Sequence, residues 1–284
     1  MEIELLEQAA IYAVLIPGIP AALALLLAPV RVQPFALALA YFIGDTAVRG
    51  WPGLPPADST QWLPWIALLA GLLGSVSRSD RKQQGQPSFL DLATLSLMAL
   101  ALALILIPAF RFAWEPLEGA GLLGLLLLGS SIFWFGIRNG KLVEEMPAIR
   151  TVLLLTTGIG VSILTGIAGS VVLAQAVAVV ATLLAADLAI AWVGRKAPTT
   201  NTQPLYAVLL AAFFAAAWYF AEAPATAGLI LASVPWLAIH IPGKFGLHRS
   251  TKTAQIVALV IALALTATAC YLTISASPPL DMEF

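Results

Sequence analysis

Three ionisable residues stand inside long apolar runs of this chain, and their positions are the first sign of chemistry. Asp187 is the only charged residue between Arg150 and Arg195. Asp45 and Arg49 are four residues apart in another apolar run, so on a helix their side chains share a face and can pair. A charge at the centre of a bilayer costs ~2.5–3.5 kcal/mol, and such residues commonly face the interior of a helix bundle and have a function. The three residues predict an intramembrane polar site.

The two carboxylates are expected to differ in role. Asp187 precedes Arg195 by eight residues, which is about 12 Å of helix, and Asp45 lies about 15 Å above the inner end of its segment. We therefore expect both at one depth, where Arg49 neutralises Asp45 and leaves Asp187 as the proton-coupling residue of a permease. The alternatives are a self-neutralising pair for Asp45 and Arg49, and for Asp187 either a structural hydrogen bond or a position close to the inner headgroups.

A stripe of small residues lies in the C-terminal part of the first of two adjoining apolar segments, 149–169 and 171–194. Gly158, Ser162, Gly166 and Ser170 recur at every fourth position, which places them along one face of a helix. Small residues let helix backbones approach closely in lipid, where no hydrophobic force drives helices together. We predict that this face packs against another helix and that the chain turns within residues 166–170.

The remaining polar residues offer little chemistry. Ser88 and Asp91 have the spacing of a capping box at the start of a helix. The only two histidines, His240 and His248, lie eight residues apart, without a nearby acid or cysteine, and so make a poor metal site. The HExxH, GxSxG and P-loop patterns do not occur in the sequence. We predict no catalytic residue, no metal and no cofactor.

The composition of the chain indicates the class of protein that holds these polar residues. The chain has 284 residues, 60% of them hydrophobic and only 10% charged, whereas soluble domains carry about 25% charged residues. No segment is polar enough to form a soluble domain, and no basic surface interleaved with aromatic residues suggests a nucleic-acid partner. A single cysteine, Cys270, excludes an intrachain disulfide bond. The composition is typical of a polytopic integral membrane protein.

Ten apolar segments are expected to form an all-α bundle of about ten transmembrane helices in a single transmembrane domain, residues 1–284. They are 9–30, 35–51, 62–77, 89–110, 119–137, 149–169, 171–194, 205–222, 226–242 and 254–275. A helical span needs about 20 apolar residues. Segments 35–51, 62–77 and 226–242 are short by that measure, so the alternatives for them are tilted or re-entrant helices.

The distribution of Lys and Arg predicts the orientation. Alternate loops hold twelve of the fourteen basic residues: Arg31, Arg78, Arg81, Lys82, Arg138, Lys141, Arg150, Arg195, Lys196, Lys244, Arg249 and Lys252. The other side holds Arg49 and Arg111. Because cytoplasmic loops carry the excess of basic residues, both termini are predicted outside the cytoplasm, with the chain integral to the plasma (inner) membrane.

Three functions fit this pattern. A small-molecule or ion-coupled permease would use ten helices as two inverted halves around a polar site, with helices interrupted as at Ile16–Pro20. A non-catalytic subunit or scaffold of a membrane complex, whose partners are the lipid bilayer and other membrane subunits or a second copy, needs few interior polar residues. A membrane enzyme acting on a lipid-linked substrate would use the carboxylates Glu115 and Glu118. A water-accessible polar site at mid-depth would favour the permease. Polar side chains enclosed in a dry core would favour the scaffold.

Overall fold

The computed structural model describes residues 11–76, 88–138, 147–194, 200–244 and 251–276, and these form helices and connecting turns without a strand. Ten main helices follow in order: α1 Ile16–Leu27, α2 Gln33–Arg49, α3 Leu63–Val76, α4 Phe89–Ile105, α5 Pro116–Arg138, α6 Pro147–Ile167, α7 Val171–Val193, α8 Gln203–Phe220, α9 Ala225–Lys244 and α10 Thr251–Ala276. A π-helical turn, Ile11–Leu15, leads into α1, and a short helix, Ile107–Phe112, continues α4. The predicted all-α class is confirmed.

A helix lies over each of the ten predicted segments, but not all are shown to be spans. Six helices, α5 to α10, are long and apolar enough to cross a membrane. Among them is α9, over the segment 226–242 that looked short from the sequence. The helices α1 to α4 have 12, 17, 14 and 17 residues, short of the roughly 20 that a perpendicular span needs. The count of ten spans is therefore not established.

Local sequence explains where these helices begin and end. Proline lies in the first turn of α2 and of α8, where its missing N–H costs nothing and its fixed φ suits a helix. Ser88 and Asp91 form the predicted capping box of α4. Gly50 and Gly169 have φ of +84° and +98°, a conformation that glycine adopts without strain. Gly169 makes the turn between α6 and α7 as tight as expected.

The centre of the bundle is α8. Of its residues 72% are buried, and it contacts α3, α4, α6 and α7. Its sequence is rich in alanine, from Ala207 through Ala217, which lets neighbouring backbones approach closely. On one side α1, α2, α3 and α7 pack together, and on the other α5, α6, α9 and α10.

Contacts among the described helix ends define two ends of the bundle. At one end, here called the basic end, Ser75 at the end of α3 accepts a hydrogen bond from Phe35 N near the start of α2. At the other, here called the aromatic end, Phe42 and Trp65 pack edge to face with ring centroids 5.3 Å apart. Trp114 and Trp218 lie together at the same end, 5.6 Å apart. Tryptophan prefers membrane interfaces, which suits this position.

The two halves of the chain do not match each other. Five of the six long apolar helices belong to the last five helices, and only α5 to the first five. In addition α10 packs along α6, whereas the corresponding helices of the first half, α5 and α1, make no comparable contact in the described part. The five-plus-five arrangement expected for a permease therefore has no support from helix lengths or packing.

Candidate functional site

Asp45 and Arg49 form a buried ion pair on one face of α2. The Nη2 atom of Arg49 lies 2.6 Å from each carboxylate oxygen of Asp45. The hydroxyl of Tyr41 donates a hydrogen bond to Oδ1 of Asp45 at 3.1 Å, and Asp45 is 1% exposed. The three side chains follow one another at four-residue spacing. Tyr41 is not among the predicted site residues, although the same four-residue spacing points to it.

The guanidinium of Arg49 keeps spare donors. Its Nε and Nη1 atoms are buried and have no hydrogen-bond acceptor among the described residues. Exposed Asp58, in the connection before α3, lies within electrostatic range. The pair is thus enclosed by protein around Asp45 and lies towards the aromatic end at Arg49, where a long side chain can reach the interface.

The interrupted first helix packs against α2 at Gly44, the residue before Asp45. A methyl group added at Gly44 would lie 2.6 Å from Cβ of Pro17 and 2.8 Å from Cγ1 of Val179, so α1, α2 and α7 meet at this glycine. Thr182 of α7 donates a hydrogen bond to the Ala13 carbonyl at 2.9 Å, in the π-helical turn where a carbonyl is available to a side chain. The irregular start of α1 is therefore held by α7.

Asp187 occupies a separate place in the core. It lies on α7 and is 3% exposed. Tyr206 of α8 is within electrostatic range of it and donates a long hydrogen bond of 3.5 Å to the Leu183 carbonyl, one turn before Asp187. The carboxylate thus belongs to the contact between α7 and the central helix α8.

Asp45 and Asp187 do not share a depth. Because Gly44 opposes Val179, Asp187 lies eight residues further along α7, about 12 Å closer to the basic end. The expectation of one level was wrong because it measured each helix from its own end and ignored the register between them. The structure does not bring the predicted site together: it pairs Asp45 with Arg49 and places Asp187 apart.

A second polar cluster joins α4 and α5 at the basic end. Asp91, 3% exposed, accepts a hydrogen bond from Trp134 Nε1 at 2.9 Å and forms an ion pair with Arg138. Arg138 also donates to the Ser88 hydroxyl at 3.1 Å. The sequence predicts only the capping role of Asp91, because its partners on α5 lie more than forty residues away.

The small-residue stripe faces α7. Ser162 donates a hydrogen bond to the Ala174 carbonyl at 2.8 Å, and methyl groups at Gly158 and Gly166 would lie at ordinary contact distances of 3.7 and 3.5 Å from alanines of α7. Ser170 differs from the prediction: it lies beyond the end of α6, at the N-cap of α7, because the chain turns before the stripe reaches it.

The other candidates lie at the surface or outside the described residues. Glu115 and Glu118, with Arg111, are exposed at the aromatic end. His240 stacks on Trp236 at 5.0 Å. His248 lies in the segment 245–250, outside the described residues. No group of three metal-ligating side chains occurs in the described part of the chain.

Apolar clefts open between helices of the described part of the chain. One, of about 170 Å³, lies between α5, α8 and α9 and is lined by Leu126, Gly129, Phe133, Phe214, Gly228 and Leu229 among others. A wider one of about 750 Å³ lies between α6 and α7. Neither cleft is lined by Asp45, Arg49 or Asp187.

Comparison with protein-family models, curated proteins and solved structures finds no match to this chain. What the protein does is therefore inferred from the positions of its own residues.

Proposed function

We propose that this protein is a non-catalytic subunit of a larger membrane complex, built of about ten membrane helices, and that a transmembrane helix of a partner subunit docks between α5 and α9. The observation that carries the proposal is the apolar cleft between α5, α8 and α9. Glycines line both of its edges, at Gly129 and Gly228, and each has open space where a side chain would be. Glycines on two facing helices permit the close backbone approach that membrane helix contacts use.

The packing of α5 supports a partner at this place. Only 22% of α5 is buried, the smallest share among the six long apolar helices. Its exposed face carries Gly121 and Gly124 beside Leu125 and Leu128. An acyl chain needs no glycine at its binding surface, whereas a helix gains contact area from each one. This pattern favours a helix over lipid as the occupant.

The buried polar groups agree with a scaffold. Asp45 bonds to Tyr41 and Arg49 within the protein, and Asp187 is buried at the contact with α8. Asp45 is thus already engaged within its own helix, as expected because a buried charge is costly unless it is paired. A scaffold, unlike a permease, requires no water-accessible polar site at mid-depth.

A photocrosslinking experiment tests the docking site. With a benzophenone amino acid at Leu125, 64% exposed beside the cleft, we expect an adduct of one size containing a single membrane protein identified by its peptides. The matched position is Leu263 on α10, 54% exposed, where we expect lipid adducts only. Gly129→Leu fills the cleft and should remove the protein adduct, with thermal stability unchanged because open space surrounds Gly129.

Two results would contradict the docking proposal. One is an adduct at Leu125 that contains only lipid. The other is a protein adduct that survives Gly129→Leu unchanged, which would mean that the partner lies outside the cleft.

A permease is the second candidate, favoured by one observation. The π-helical turn before α1 and the prolines of α1 make an interrupted helix, and Pro17 contacts α2 directly beside Asp45. Interrupted helices next to an intramembrane charge form the binding sites of many transporters. Here Asp45 and Arg49 would be the polar groups that a substrate or ion meets.

Cysteine labelling tests the orientation and separates the two functions. In a Cys270→Ala background, a membrane-impermeant thiol reagent should label Leu54→Cys from outside the cell, since Leu54 is 71% exposed at the aromatic end. Val30→Cys, in the turn between α1 and α2 and 60% exposed, should be protected until the membrane is opened. Thr46→Cys, beside the buried pair, should stay unlabelled throughout.

Reversed labelling of Leu54→Cys and Val30→Cys would overturn the proposed orientation. Labelling of Thr46→Cys in the intact protein would show water beside the pair and would favour the permease.

A further inference from the structure

Arg150 is a buried cation without a counter-charge among the described residues. It lies in the first turn of α6 and is 9% exposed, and its Nε atom is buried with no hydrogen-bond partner. No carboxylate of the described chain forms an ion pair with it, and the charged group that acts on it is another cation, Arg138. A buried charge in protein is normally paired, because removing it from water is costly.

The neighbouring charges do not balance. Arg138 is paired with Asp91 and hydrogen-bonded to Ser88, so that carboxylate is already engaged. Among the described residues, these two guanidinium groups and one carboxylate leave one positive charge where α5 ends and α6 begins. An anion bound there would stabilise Arg150 and relieve its repulsion from Arg138.

Topology alone does not account for Arg150. Arginines that only mark the side of a membrane extend into water or towards headgroups, as exposed Arg31 and Arg111 do. Arg150 is instead only 9% exposed, and its Nε atom is buried. Its helix begins here, and the free N–H groups of a first helical turn also favour an anion. Basic pockets between membrane helices at this level bind lipid phosphates.

We propose that the basic end of α5 and α6 is a phosphate-binding site, with Arg150 as its principal ligand and Arg138 as the second cation. The planar guanidinium of Arg150 can donate two parallel hydrogen bonds to phosphate oxygens, which an ammonium cannot. The phosphate is that of an anionic phospholipid headgroup or a free phosphate ion, and both present the same oxygens.

Lipid binding to the purified full-length protein tests the site. Native mass spectrometry with phosphatidylglycerol, and with phosphatidylcholine as the zwitterionic reference, should show preferential binding of the anionic lipid to the wild type. Arg150→Gln should lower that affinity by about tenfold or more, the value of one charge-assisted hydrogen bond. Arg150→Lys keeps the positive charge but not the planar guanidinium, so its affinity should lie between those of the wild type and Arg150→Gln. Arg31→Gln, the exposed control, should change affinity by less than about twofold.

Inorganic phosphate separates the two sources. If millimolar phosphate raises the melting temperature of the wild type but not of Arg150→Gln, the site takes free phosphate; if phosphatidylglycerol alone does so, it takes the lipid. Either result supports the proposal. If Arg150→Gln does not fold, the reduced affinity of Arg150→Lys carries the test.

Other results would overturn it. Equal losses for Arg150→Gln and Arg31→Gln would mean general surface attraction. Responses to lipid and phosphate that are the same in the wild type and every Arg150 variant would exclude the site. Glu144 and Glu145 lie just before α6, outside the described residues. Binding that appears only in Glu144→Gln/Glu145→Gln would mean that these carboxylates neutralise Arg150 in the native protein.

Discussion

Asp45→Leu should destabilise the protein by about 3–5 kcal/mol, because it leaves the guanidinium of Arg49 buried without its partner. An arginine cannot lose its proton at any ordinary pH. The guanidinium of Arg49 can reach water only at the end of α2. Arg49→Leu should cost less, since the carboxylate left behind can take up a proton and keep the hydrogen bond from Tyr41. The unfolding free energy in detergent micelles or nanodiscs measures both effects.

The double variant is the informative member of this set. Replacing a buried ion pair by apolar residues is often neutral or stabilising, so Asp45→Leu combined with Arg49→Leu should recover most of the loss. The coupling between the two sites in a double-mutant cycle should therefore be large. Glu115→Gln, an exposed charge, is the control and should stay within about 0.5 kcal/mol.

This cycle also bears on function. In a scaffold the double variant should still give the crosslinked adduct at Leu125, because Asp45 and Arg49 pair within α2 and do not line the cleft between α5, α8 and α9. Purely additive losses at Asp45 and Arg49 would mean that the two side chains do not interact in the folded protein. Loss of the adduct in a stable double variant would mean that the pair acts beyond packing.

The apolar runs predict the helices well because length and hydrophobicity are local properties. Irregularities within helices are harder to predict. The break at Leu106 precedes Pro108 and has a local cause, but the π-helical turn at Ile11–Leu15 depends on the contact of Ala13 with α7. The central position of α8 is indicated only weakly by its sequence. Its many alanines allow neighbouring helices to approach closely on every side.

The polar site was harder to predict because it depends on register between helices. The pairing of Asp45 with Arg49 follows from their spacing alone. The depth of Asp187 relative to Asp45 is determined by which residues of α2 and α7 touch, and no local pattern encodes that contact. For the same reason the sequence showed Asp91 as a cap but not as the partner of Trp134 and Arg138 on α5.

Gly44→Ala should destabilise the protein by about 1–3 kcal/mol, since a single methyl group overpacks a contact between three helices. The added carbon would lie 2.6 Å from Cβ of Pro17 and 2.8 Å from Val179. A proline ring has no flexible end to move aside, so α1 must shift away from α2. The melting temperature in detergent reports the loss.

The matched control is Gly158→Ala, at another buried glycine in a helix. Its methyl group would lie 3.7 Å from Ala181 and Leu210, which is ordinary contact, and alanine is the better helix former by about 0.5–1 kcal/mol. We expect this variant to be neutral or slightly more stable. Because α1 packs against α2 at Gly44, two residues before Thr46, Gly44→Ala should also make Thr46→Cys reactive to the thiol reagent, whereas Gly158→Ala should not. Equal stability of the two glycine variants, with Thr46→Cys protected in both, would mean that α1 does not rest on α2 at Gly44 and that the ion pair is enclosed by other parts of the chain.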